Sequence, residues 1–399
     1  MSTAVIEKNP RYFKAVKGIV AGLKKGSLTV ILADGRRFET VGAEPGPAGE
    51  LTVLNEDLFG RVIRDGDLGF AEAYMDGWYD TPDLQALLDV IMVNNDSVGR
   101  GFPAQGLVRM FERLRHWMNR NTKSGSAKNI SAHYDLGNEF YAKWLDETMS
   151  YSSALYRSDN ENMEEAQINK YASICDRMNM GEDAHVLEVG CGWGGFAEYA
   201  AGVRGAKVTG LTISKEQHDF AKARMFREGL NEKVDIVMRD YRDERGTYDG
   251  IASIEMFEAV GEAYWPGYFN MIKERLTPGA TASLQIITIA DNLFPYYRKN
   301  VDFIQKYIFP GGMLPSPTAL REQVAQAGLT YRSSIEFGES YSDTLREWRE
   351  AFNDKWDEIS RLGFDPRFSR MWNFYLASCA SCFMAGTTDV TQIAIQRPA

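Results

Sequence analysis

Cysteine is scarce in this chain of 399 residues: only Cys175, Cys191, Cys379 and Cys382 occur. The last two form a lone C-x-x-C in an apolar, helical-looking stretch, without a thioredoxin-like context or a second ligand pair. Redox and zinc roles are therefore set aside in favour of buried structural thiols, and no metal site is expected. Long apolar runs are also missing, with no stretch of about 20 residues to span a bilayer. The N-terminus lacks the apolar core and small-residue cleavage site of a secretory signal, so a cytoplasmic protein is expected. Positive charge is in deficit: the formal net charge of −10 argues against general nucleic-acid binding. Repeats and low-complexity tracts are absent. What remains is ordinary globular composition with room for about two domains of roughly 150 residues each.

Against this acidic background two segments are basic. Lys8, Arg11, Lys14, Lys17, Lys24 and Lys25 occur with no acid between them, and Tyr12, Phe13, Val16, Ile19, Val20 and Leu23 interleave at helical spacing. Arg109, Arg113, Arg115, Arg120 and Lys123 run beside Leu107, Met110, Phe111, Leu114, Trp117 and Met118. Such helices can lie on anionic lipid surfaces, which predicts peripheral contact at the inner face of the membrane. A helix packed on its own domain with a solvated basic face gives the same pattern.

The first 120 residues read as a small α+β unit. A helix is expected over 8–24, then a hairpin of 28–32 and 38–41 around Asp34-Gly35, which suits a type I′ turn. Pro45-Gly46-Pro47 marks a loop, 51–53 a strand, 58–63 a short helix, and 66–94 helix broken near 78–82. Residues 121–129, polar and small, read as a linker. From residue 130 to 399 strands alternate with helices, with strands at 186–189, 207–213, 234–240, 250–254 and 281–289. That alternation predicts a Rossmann-like, doubly wound and mostly parallel sheet.

The strand at 186–189 runs directly into Gly190-x-Gly192-x-Gly194-Gly195 and then a helix. Glycines there allow a sharp turn and close approach of backbone to a nucleotide-like ligand. The pattern also satisfies G-x-G-x-x-G, so a nicotinamide enzyme must be weighed. Such enzymes usually carry an acid about 20 residues on for the ribose; here that strand ends in Thr212-Ile213-Ser214. Glu188, just ahead of the glycines, instead suits the cationic methionine moiety of S-adenosylmethionine. Asp240-Tyr241-Arg242-Asp243 ends the third strand, where adenine contacts are expected.

Further motifs flank this loop: Ser131-Ala132-His133-Tyr134-Asp135-Leu136-Gly137-Asn138, Met149-Ser150-Tyr151-Ser152-Ser153-Ala154, and Gly210-Leu211-Thr212-Ile213-Ser214 with Gln217. Met256-Phe257-Glu258-Ala259-Val260-Gly261, Lys306 to Gly312, Leu314-Pro315-Ser316 and Tyr341 follow. In order and spacing, residues 130–390 closely resemble the cyclopropane fatty acid synthase family, which includes the mycolic acid methyltransferases. The first 120 residues resemble, less specifically, the N-terminal domain of its phospholipid-acting members. The resemblance implies a class I methyltransferase acting on cis-unsaturated acyl chains of membrane phospholipids. The alkene attacks the sulfonium methyl, a carbocation forms, and a proton is lost, to a bound bicarbonate in the cyclopropane members. It also implies cofactor contacts at Tyr134, Gly190, Gly192, Thr212, Gln217, Tyr241 and Arg242; with the loop reading, Glu188, Gly194 and Asp240 join them. Glu258, Ile289 and Tyr341 fall where the family lines its bicarbonate and substrate pocket, and Ser153 stands at a further catalytic position. Two-domain relatives can form dimers, so a homodimer is one expected state.

Three departures bear on the product. Ser153 replaces the usual cysteine, Ala259 the histidine after Phe-Glu, and Ile287 the histidine that ligates bicarbonate. Isoleucine offers an anion no side-chain hydrogen bond, and a buried anion that loses a donor is costlier by about 1–3 kcal/mol. The bicarbonate site is therefore expected to be altered or absent. A methyl-branched unsaturated chain, formed by proton loss from a neighbouring chain carbon, is expected over ring closure to a cyclopropane. A small-molecule O- or N-methyltransferase and a catalytically dead lipid-binding protein are the competing classes. The first has no use for basic amphipathic segments, and the intact glycine loop and Glu258 weigh against the second.

Overall fold

The computed structural model describes residues 9–95 and 136–399. Tyr134, the linker and the second basic segment lie outside the described residues. The N-terminal unit comprises α1 (Phe13–Val20), β1 (Lys25–Ile31), β2 (Arg37–Val41), β3 (Glu44–Val53), α2 (Leu58–Met75), β4 (Tyr79–Asp80) and α3 (Leu84–Val93). Its sheet runs β2-β1-β3-β4, with β1 and β3 parallel. The hairpin forms around Asp34-Gly35, but not through the expected type I′ turn: Gly35 is left-handed at φ +87° while Asp34 is not, and the Leu32 N–H pairs with the Arg36 carbonyl across Ala33 to Gly35. Pro45-Gly46-Pro47 is not a loop but the first part of β3. It falls where the β1–β3 register slips between Lys25 and Ser27, and a bulge of this kind tolerates proline within a strand. Gly26 makes the irregularity feasible: a Cβ there would stand 2.0 Å from the Pro47 carbonyl oxygen. The short helix expected at 58–63 continues to Met75 through a kink at Gly66, φ +59° and ψ −136°.

The apolar stripe of the first basic segment packs inward. Phe13 is buried against Phe38 and Phe59, with ring centroids 4.8 and 5.1 Å apart, and Val16 and Val20 pack on the same core. Lys17 lies over the Phe38 ring. The helix therefore offers outward its basic face and not the apolar one.

The second unit follows the expected alternation: α4 (Met163–Met178), β5 (His185–Val189), α5 (Gly195–Gly202), β6 (Lys207–Thr212), α6 (Lys215–Arg227), β7 (Val234–Met238), β8 (Tyr248–Ile254), α7 (Trp265–Arg275), β9 (Leu276–Ile289), α8 (Pro317–Gln326), β10 (Thr330–Glu336), α9 (Gly338–Asp354), α10 (Pro366–Met384) and β11 (Thr388–Gln396). Strand order is β10-β11-β9-β8-β5-β6-β7. The run from β9 to β7 is parallel, while β11 lies antiparallel to β9 and β10. This is the Rossmann-like class I methyltransferase fold. The sequence at β5 and β6 is apolar on both faces because helices cover both sides of a parallel sheet.

One apolar core joins the two units. Phe374 on α10 meets Phe70 and Tyr74 on α2, with centroids 6.4 and 5.9 Å apart. Polar contacts fix the same seam. Asp89 on α3 accepts from Gln85 at 2.9 Å, from Ser381 at 2.6 Å and from Arg346 at 3.0 Å. Glu72 on α2 accepts from Lys306 at 2.9 Å and Tyr307 at 2.7 Å, so the 304–308 turn over the cavity is tied to the N-terminal unit. The C-x-x-C lies on α10 with both thiols free. Burial pushes Cys379 well above the ordinary thiol range and Cys382 to about 11, so neither is a ready thiolate, as expected of structural cysteines.

Candidate active site

The carboxyl ends of β5, β6 and β8 open onto one cavity of about 700 Å³, the size of a small-molecule site. Gly190 and Gly192 line it at φ +83° and +52°. A Cβ on Gly190 would stand 2.7 Å from Met256 Cγ, so only glycine fits. Gly194 does not line the cavity. It is the left-handed residue ahead of α5, where a Cβ would stand 3.2 Å from the Ala221 Cβ. Its role is close packing of α5 on α6, not ligand contact. Thr212, Gln217, Asp240, Tyr241 and Arg242 all reach the cavity wall. The Thr212 hydroxyl donates to Gln217 Oε1 at 3.0 Å, and Asp240 accepts from the Arg242 backbone and guanidinium at 2.9 and 2.8 Å.

Glu188 also lines this end and is 3% exposed. Its Oε2 is buried without a hydrogen-bond partner. Burial pushes its carboxyl well above the usual range, against the opposing pull of Lys170 and Arg224. An orphaned carboxylate oxygen beside backbone-open glycines is what a cationic ligand group would satisfy. The residues present fit S-adenosylmethionine: the glycine backbone and Glu188 would take the methionine end and Asp240 to Arg242 the adenine, with Thr212 and Gln217 on the wall beside them.

Across the cavity, the site is organised by a residue outside the expected set, Glu255. It follows β8 directly at φ +50°, a left-handed conformation that costs a non-glycine residue about 1–2 kcal/mol. Its Oε1 accepts the Ser153 backbone N–H at 2.8 Å and Gln285 Nε2 at 2.7 Å, and its Oε2 accepts the Tyr341 hydroxyl at 2.9 Å. Three donors converge on one carboxylate and offset the backbone strain. Ser153 therefore takes part through its main chain, while its hydroxyl turns away to the Ala154 carbonyl at 2.8 Å. Ile289 reaches the cavity, but its N–H is committed to the Pro315 carbonyl at 3.0 Å. Glu258 accepts the Ile287 N–H at 2.5 Å and leaves Oε2 buried and unpartnered.

Burial, and then the charge of Glu255, push Glu258 to about 8. Burial also raises Glu255, against the lowering effect of Gln285, Ser153, Lys170 and Tyr341. The two neighbouring carboxyls have unequal donor sets, three donors at Glu255 and one at Glu258, so of the pair Glu255 is the better placed to hold the charge and Glu258 the proton. Tyr341, Phe383, Tyr151, Tyr375 and Phe309 line the same region. Their ring faces can stabilise a cation.

The model of the mycolic acid cyclopropane synthetase family matches residues 121–393. The chain belongs to that family. It is 34% identical over 385 residues to the tuberculostearic acid methyltransferase UfaA1 of Mycobacterium tuberculosis, covering 92% of this chain and 86% of that one. It is 35% identical over 353 residues to the cyclopropane-fatty-acyl-phospholipid synthase of Escherichia coli K12, covering 87% and 88%. The solved mycolic acid cyclopropane synthase CmaA1, complexed with SAH and CTAB, superposes with a TM-score of 0.64 at 27% identity, covering 68% of this chain and 98% of that one. Membership makes this protein an S-adenosylmethionine-dependent methyltransferase that modifies lipid acyl chains, by methylation or cyclopropanation.

Proposed function

We propose that this methyltransferase acts on the cis double bond of fatty-acyl chains in membrane phospholipids and yields an open, one-carbon-branched unsaturated chain. The observation that carries the reading is the Glu255 carboxylate seated on Ser153, Gln285 and Tyr341. By family resemblance, Tyr341 stands where relatives line their bicarbonate and substrate pocket, and Ser153 at a further catalytic position. Here a side chain of the protein fills that place, and Ile287 supplies no imidazole.

When bound, S-adenosylmethionine supplies an electrophilic methyl group. The alkene π electrons form the new C–C bond, leaving a cation on the adjacent chain carbon. The Glu255 charge and the surrounding rings stabilise that cation. Glu255 then takes a proton from a carbon beside the cation, and the C–H electron pair becomes the new double bond. The net change is one CH2. A tethered carboxylate reaches only what its backbone allows, which favours elimination along the chain over closure of a ring.

The cavity supports the acyl substrate. From the glycine loop it extends past Glu255 to Leu28, Leu51, Leu58, Leu87 and Ile91 of the N-terminal unit, so we read that unit as a wall of the acyl channel. Among the described residues no helix is long and apolar enough to cross a membrane. Contact with an anionic bilayer through the basic face of α1 would bring the channel to its substrate, and dimerisation is a further part of the proposal that sedimentation would check.

The built-in base has a direct test: turnover in carbon-dioxide-free buffer should equal turnover with added bicarbonate, and a strict bicarbonate requirement would refute it. The carboxyl pair adds a second expectation. Glu258→Gln imitates the protonated partner, so it should retain most activity at pH 7 and remove the loss expected of the parent as pH rises through about 8. A Glu258→Gln variant as inactive as a Glu255 variant would reverse the two roles.

A further inference from the structure

Behind Glu255 lies a buried polar array that the reaction does not touch. Gln285 on β9 and Gln392 on β11 are directly paired across the antiparallel register, and neither has any solvent exposure. The Ser173 hydroxyl on α4 donates to Gln392 Oε1 at 2.6 Å, Gln392 Nε2 donates to Gln285 Oε1 at 3.0 Å, and Gln285 Nε2 donates to Glu255. Amides buried in a sheet interior are costly unless fully paired, and simpler apolar residues would fill β9 and β11 as well.

The direction of the array is fixed from outside it. Gln285 Nε2 also donates to the Ser153 carbonyl at 3.2 Å, and Gln392 Nε2 to the Lys170 carbonyl at 3.4 Å. A backbone carbonyl only accepts, so each amide must turn its NH2 to that side. Neither glutamine can flip to present oxygen to Glu255. A proton on Glu255 Oε1 would be set against two N–H donors, and a proton on Oε2 would require the Tyr341 hydroxyl to turn and accept, whereas the carboxylate is met by all three as donors. Lys170, fully buried on α4, adds a positive charge to the same region. Its ammonium donates to Ser152 at 2.7 Å and to Gln167 at 2.5 Å, and Ser152 precedes the residue whose N–H holds Glu255. Burial lowers Lys170 to about 8, while the charges of Glu255, Asp146 and Glu188 raise it. The charged and titratable groups around Glu255 are then Lys170 from α4, Glu258 after β8 and Tyr341 from α9, and Lys170 is faced in turn by Asp146 ahead of α4 and Glu188 from β5.

We infer that Gln285, Gln392, Ser173 and Lys170 are positioning residues that hold Glu255 in its ionised form; the inference rests on the reading of Glu255 as the base. None of the four need touch substrate. Gln285, Gln392 and Ser173 act through one carboxylate, so their loss should move a pH limb and not cofactor affinity, whereas Lys170 also faces Glu188.

The test compares Lys170→Met and Gln392→Met in the full chain, with S-adenosylmethionine and dioleoylphosphatidylglycerol vesicles, from pH 5 to 9. The expected result is an acid limb of kcat displaced upward by about one pH unit in each variant, with KM for S-adenosylmethionine within about twofold of the parent for Gln392→Met. A limb that does not move in either variant overturns the inference. Where a methionine variant no longer binds S-adenosylhomocysteine, Ser173→Ala, which removes a single hydroxyl, is read in its place by the same criterion. Glu255→Gln run in parallel separates the two claims. If it turns over normally, the base assignment has failed. If it is inactive while the limbs stay fixed, the positioning array alone has failed.

Discussion

Glu255→Gly lowers turnover by about 10²–10⁴-fold, the range for loss of a general base, and added bicarbonate restores part of it. Glycine suits the φ of +50° at this position, so the variant removes the carboxylate without imposing new backbone strain. It leaves the Ser153 N–H, the Gln285 amide and the Tyr341 hydroxyl facing an empty cradle. Each orphaned buried donor costs about 1–3 kcal/mol, and an exogenous carboxylate-like anion relieves several at once. Steady-state assays with and without bicarbonate, alongside calorimetric binding of S-adenosylhomocysteine, check this. Loss of activity with unchanged cofactor affinity, partly recovered by bicarbonate but not by chloride, is the expected pattern. Full activity without rescue would remove Glu255 from the reaction.

Gly190→Val acts at the opposite wall and fails for a different reason. Its φ of +83° disfavours any Cβ, and a Cβ would meet Met256 Cγ at 2.7 Å and Cβ at 3.1 Å. Strain and overpacking together amount to about 2–5 kcal/mol, enough to displace the loop from its ligand-binding form. Affinity for S-adenosylhomocysteine should fall by at least about 30-fold, measured by calorimetry, with the fold retained by circular dichroism. Gly194→Ala should instead report as a packing defect: a lower melting temperature with a smaller change in affinity, because its Cβ faces Ala221 and Met225.

Much of this was legible in the sequence because it rests on local rules. The glycine loop, the alternation from residue 130 and the Asp34-Gly35 hairpin each follow from turn chemistry and periodicity. The departures at Ser153, Ala259 and Ile287 pointed to an altered anion site. The residue we propose in the anion's place was not legible. Glu255 sits three residues before Glu258 in Ser253-Ile254-Glu255-Met256-Phe257-Glu258, and a pair of acids at a strand end was the available signal. Its left-handed backbone turns the side chain toward Ser153 and Tyr341, which are 102 and 86 residues away in sequence. No local rule gives contacts of that kind. The same limit applies to Gln285 and Gln392, ordinary polar residues until β9 and β11 are placed side by side. The proline-rich start of β3 was misread because a bulge opposite Gly26 is a tertiary fit.

The central claim is that the carbocation ends as an open branched alkene and not as a ring. The full chain, supplied with S-adenosylmethionine carrying a ¹³C methyl group and with dioleoylphosphatidylglycerol vesicles, gives a labelled lipid whose carbon framework NMR resolves. The account predicts label on an open methyl branch of the acyl chain, beside a surviving double bond that hydrogenation removes. Label in a cyclopropane methylene, in a chain with no remaining alkene, would contradict it.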